Sequence, residues 1–132
     1  MWKFTHLFDI ILLEKFEFVW RGYMNDVIGP IILGAFISIL GFSNMKGNIS
    51  SIHWYHRKRI TEENRLPFGR MIGLGTVICG VSLVVFGCLS FVSEKTQIDI
   101  FTTLGSVVVS VGLVIGLALS LYAMIKYNKG IF

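Results

Sequence analysis

Two histidines, His53 and His56, stand three residues apart within NISSIHWYHRKRITEENRLPFG (48–69), a spacing that puts both imidazoles on one face of a helix, where they could hold a metal. A metal centre needs more ligands than that. No cysteine and no third histidine lies nearby, and Glu62 and Glu63 are the only carboxylates within the stretch. The pair reads as interfacial or solvated histidines, and no metal or cofactor is expected. Cys79 and Cys88 lie in one apolar block, separated by roughly 13 Å if that block is helical. That exceeds disulfide reach, so both read as buried small apolar residues. The chain has no phosphate-cradling glycine loop, no HExxH, no GxSxG and no Ser, His and Asp grouping. It is not expected to be an enzyme.

Ion or proton transport normally leaves ionisable side chains inside the bilayer, where each one is costly to keep. The apolar blocks here contain none. Their polar groups include Ser38, Thr76, Ser82, Thr102, Thr103, Ser106, Ser110 and Ser120, whose hydroxyls can bond back to the preceding turn of their own helix. Ser106 and Ser110, four apart, are expected to make a polar contact with another helix.

The chemistry that remains is recognition. Trp54 and Tyr55 are residue types that settle at headgroup level, and the adjoining Arg57, Lys58 and Arg59 attract anionic lipid. Together with His56, these residues form a candidate docking surface for lipid headgroups or a protein partner, and Ser51 is placed to cap a short helix there. The simpler alternative is a basic loop that only sets topology. Leu119 to Lys126 fits a proposed sterol-contact pattern through Tyr122, but chance produces that pattern often.

The elements that must position this surface follow from hydropathy. Of 132 residues, 54% are hydrophobic and 15% charged, more apolar material than one small soluble core buries. The apolar residues fall into blocks of bilayer length: Val27 to Phe42, Met71 to Val92 and Phe101 to Ile125. With their flanks these predict spans at about 27–44, 70–93 and 101–126, joined by a linker over 45–69. Pro30 suits a first helical turn and argues for a helix start there. The polar connection SEKTQIDI is so short that the second and third spans must form an antiparallel hairpin.

The 45–70 region holds Lys46, Arg57, Lys58, Arg59, Arg65 and Arg70 against Glu62 and Glu63. The excess of basic residues marks the cytoplasmic side, which places the N-terminus outside and the C-terminus, with Lys126 and Lys129, inside. The net charge of +4 is too modest to suggest a nucleic-acid partner. Residues 1–23 are too charged to span. On a helical wheel Lys3, His6, Asp9, Glu14, Glu17 and Arg21 gather on one side, opposite Phe4, Leu7, Phe8, Ile11, Leu12, Phe18 and Val19, with Lys15 out of place. This segment fits an interfacial amphipathic helix. A helix docked on the bundle, or an extension upstream of a protein that begins at Met24, stays open.

Small residues recur at a spacing of seven, which is two helical turns: Gly34 and Gly41; Gly73, Gly80 and Gly87; Gly105 and Gly112. Gly69 with Gly73, and Gly112 with Gly116, add the four-residue spacing. These glycines are read as helix-packing seams, with a glycine-lined permeation path as the alternative. The expected fold is all-α, a transmembrane three-helix bundle with an N-terminal amphipathic interfacial helix.

A short first span, the linker HWYHRKRITEENRLPFGRMIGLGT and a closing glycine-rich hairpin together resemble small bacterial integral membrane proteins of the domain-of-unknown-function type. The resemblance covers Met24 to about Lys126 and is most specific over Ile52 to Gly75. It implies an architecture and a bacterial cytoplasmic-membrane location, and it carries no activity. The expected role is a small accessory or scaffold protein whose linker docks lipid headgroups or a protein partner. The alternative is an oligomeric transport or channel component.

Overall fold

The structure, a computed structural model, describes residues 2–52 and 58–128, apart from the side chains of 2–5 and 8. Helix α1 spans Trp2–Tyr23 and leads through a π-helical turn, Met24–Ile28, into α2, Gly29–Met45. Helix α3 spans Glu62–Thr96 and α4 spans Ile100–Tyr127. Three helices are long and apolar enough to cross a membrane: the one that ends at Met45, α3 and α4. Large apolar side chains such as Phe36, Ile39 and Val114 lie 59%, 66% and 67% exposed. Such surface suits a lipid solvent and would be a severe liability in water.

Pro30 lies in the first turn of α2, as its place in the sequence suggests, but the chain before it is already helical. The helix passes through it from upstream. Proline has no N–H to donate, and its ring crowds the carbonyl four residues back, which here belongs to Asp26. The chain resolves this by widening one turn, so that the Gly29 N–H reaches back five residues to the Met24 carbonyl. Helix α1 therefore does not stand apart from the first span but continues it upstream.

The linker is shorter than 45–69. Its last eight residues, Glu62 to Gly69, already belong to α3, which runs through Pro67 because that ring meets only the carbonyl of Glu63 in the first turn. At the linker's other end Gly47, with φ +85°, closes α2. Its N–H donates to the Asn44 carbonyl at 2.9 Å and that of Asn48 to the Ser43 carbonyl at 3.3 Å. This paired arrangement requires a left-handed residue, which glycine supplies without strain. The hairpin turn between α3 and α4 depends on Gln97 at φ 58°. The Ser93 hydroxyl steadies that turn by donating to the Ile98 carbonyl at 2.9 Å.

Helix α3 is central. It packs on α2 along one side and on α4 along the other, and among the described residues α2 and α4 do not approach each other. The glycine positions explain this layered arrangement. Gly73, Gly80 and Gly87 face α2, whereas Gly75, Cys79 and Ser82 face α4. Two residues along a helix turn it by roughly 200°, so the seams beginning at Gly73 and Gly75 lie on nearly opposite sides.

The buried apolar cluster sits at one end of this layer. Phe68 and Ala123 are fully buried together with Ile49 and Ile72, and Ile52, Ile60, Met71, Met124 and Tyr127 pack against them. Isoleucines of the linker thus tie the entry of α3 to the exit of α4.

Candidate functional site

The described part of the linker, through Ile49, Ile52 and Ile60, lies at this clustered end. Trp54, Tyr55, His56 and Arg57 fall outside the described residues, as does His53. Lys58 is exposed and Arg59 half-buried. They follow Ile52 and precede Ile60, both of which pack on the apolar cluster, so the chain on either side of the basic run is anchored. The linker's opening turn is held as well. The Arg65 Nε donates to the Gly47 carbonyl at 3.1 Å, and the same guanidinium lies 3.6 Å from the Glu62 carboxylate. The short helix expected after Ser51 falls on residues outside the described ones; the Ser51 hydroxyl itself donates to the Asn44 side-chain oxygen at 2.7 Å, and Asn44 is buried. Lys126 brings a further positive charge to this end, with its ammonium 5.4 Å and 5.3 Å from the ring centres of Tyr122 and Tyr127. Cationic heads with apolar stems and aromatic neighbours suit the boundary between hydrocarbon and headgroup.

The glycine seams are where helices touch. A methyl group on Gly34 would sit 2.5 Å from the Gly80 carbonyl oxygen, on Gly73 2.5 Å from that of Gly41, and on Gly87 2.8 Å from that of Val27. On Gly80 it would strike the Ser38 hydroxyl, which is fixed by donating to the Gly34 carbonyl at 2.8 Å. Backbones this close leave no room for a side chain. Across the other seam, Gly116 meets Cys79 and Gly75, and Gly112 meets Ser82. The Cys79 thiol donates to the Gly112 carbonyl at 3.7 Å. Gly105 is the looser member, its nearest neighbour being the Phe86 ring at 3.0 Å. Gly75 shares its seam with Gly116 but has no partner at seven-residue spacing, so a search for that period passes over it.

Two expectations are corrected. Ser106 and Ser110 do not bridge helices; both are exposed and bond back, to the Thr102 and Ser106 carbonyls at 3.0 Å and 2.8 Å. With Gly105 and Gly112 turned toward α3, these serines fall on the flank of α4 that faces away from it. Cys88 is exposed rather than buried, while Cys79 is partly covered at the α3–α4 seam.

The sequence reading missed a polar cleft of about 570 Å³ at the opposite end of the layer. It opens because α2 stays in packing contact with α3 only as far as the π-helical turn, beyond which α1 diverges. Arg21, Asp26, Ser90, Ser93, Glu94 and Asp99 line it, beside an apolar wall that includes Phe18 and Val19. These residues come from four separate segments, most of them just outside the spans, where charge is ordinarily read as solvated. The coincidence of Asp26, Glu94 and Asp99 at the same ends of three spans was the available signal. Set against known protein families, curated proteins and solved structures, the chain matches none.

Proposed function

We propose that this protein is a small multi-pass accessory or scaffold protein of a bacterial cytoplasmic membrane, whose basic linker end docks on anionic lipid headgroups. The anchoring of Ile49, Ile52 and Ile60 on Phe68 and Ile72 carries this reading. It holds both flanks of the Arg57, Lys58 and Arg59 run at the end of the helical layer that also bears Arg65, Arg70 and Lys126. By the basic-residue rule this end is cytoplasmic, and the N-terminus and the polar cleft lie outside.

Each basic residue near an anionic surface contributes about 1 kcal/mol. Replacing Arg57, Lys58 and Arg59 with alanine is therefore expected to cut the enrichment of co-purified phosphatidylglycerol or cardiolipin by roughly tenfold or more, as read by native mass spectrometry. Unchanged enrichment would contradict lipid docking. Loss of a cross-linked protein with the lipid profile intact would make the partner a protein. A transport role would require several copies, because a layer of three helices encloses no path. A strictly monomeric state in native lipid would remove that alternative.

A further inference from the structure

The geometry points to the cleft between α1, the π-helical turn and the α3–α4 hairpin as a binding site for a ligand that carries primary ammonium groups on a short alkyl chain. The argument begins with Ser90. It lines the cleft at 5% exposure, and its hydroxyl oxygen is buried without a hydrogen-bond partner. Six other span hydroxyls, those of Ser38, Thr76, Ser82, Ser106, Ser110 and Ser120, donate to a carbonyl of their own helix. Ser93, one turn from Ser90, donates to the Ile98 carbonyl. Ser90 departs from that habit where the polar groups of the cleft converge, and a buried hydroxyl left unpaired is costly unless something else reaches it.

The charge of the cleft selects the ligand's sign. Asp26, Glu94 and Asp99 outnumber Arg21, whose guanidinium lies 4.0 Å from Glu17 on the exposed flank of α1. A cation is favoured. It is not a metal ion, because no three His, Cys, Asp or Glu side chains among the described residues are grouped closely enough to share one. Dispersed carboxylates suit several N–H donors on a flexible chain, whose methylene groups lie against Phe18, Val19 and Val27. The volume falls in the range of small-molecule sites.

Two sources can supply this chemistry: a soluble polyamine, or the ethanolamine headgroup of a phospholipid entering from the bilayer. Calorimetry on the full chain in detergent, titrated with spermidine, reads the first. Phospholipid co-purifying from nanodiscs that mix phosphatidylethanolamine with phosphatidylcholine reads the second. Binding in either arm is expected to weaken at least tenfold in Glu94→Gln/Asp99→Asn and severalfold in Ser90→Ala, and to stay unchanged in Asp9→Asn/Glu14→Gln, which removes the same charge away from the cleft. Should the carboxylate variant fail to fold, Ser90→Ala decides alone. Absence of binding in both arms would overturn the proposal. So would full binding by Ser90→Ala, or equal weakening by the Asp9 and Glu14 variant, which would reduce the effect to diffuse surface charge.

Discussion

Glycine carries the packing of this protein because only a missing side chain allows backbones to approach as α2 and α3 do. A methyl group at Gly80 would meet both the Ser38 hydroxyl and, at 2.6 Å, the Gly34 carbonyl oxygen, whereas one at Gly22 meets nothing within 4 Å. The same substitution should therefore act oppositely at the two sites. Gly80→Ala is expected to destabilise the helical layer by about 1–3 kcal/mol through overpacking. Gly22→Ala should be neutral or stabilising by up to about 1 kcal/mol, since alanine restricts the unfolded chain and favours the helix. Unfolding in mixed micelles followed by circular dichroism compares them directly, and equal effects would contradict the seam. The hydroxyls tell a related story. By bonding to their own helices, Ser106 and Ser110 remain on an exposed face without leaving a donor unsatisfied, so span serines need no partner helix to explain them.

At the scale of elements, Pro30 and the widened turn before it set the direction in which α1 leaves the layer. If the ring of Pro30 maintains that turn, Pro30→Ala restores a donor and lets the helix tighten. Spin labels at Phe16 on α1 and Lys95 in the last turn of α3 should then report a shifted distance distribution, while superimposable distributions would show that the turn does not depend on proline. The spans themselves were legible, because long uncharged runs have few other uses and a connection as short as SEKTQIDI (93–100) forces a hairpin. The α2-facing seam was legible through its repeat of seven. Three features were not. A proline near a span reads equally as a start and as an interruption, and only the chain upstream decides. Helix α3 begins nine residues before its apolar block, since Glu62, Glu63 and Arg65 signal solvent rather than a coil. The cleft draws single residues from distant segments, and no local pattern marks residues that meet only after folding.

The whole molecule is a layer with two unlike ends. One end is basic and closed by the apolar cluster around Phe68; the other is acidic and open as a cleft. At 1.5 Å per residue α3 is roughly 52 Å long, well beyond a hydrocarbon core of about 30 Å, so both ends of that helix reach headgroups or water. This separation allows the linker to meet anionic lipid on one side of the membrane while the cleft samples the other. The most direct test places single cysteines at Lys58, just before α3, and Lys95, in its last turn, in a chain whose Cys79 and Cys88 are alanine. In intact cells a membrane-impermeant maleimide should label Lys95→Cys at once and Lys58→Cys only after permeabilisation. Labelling of both from the same side would contradict the account.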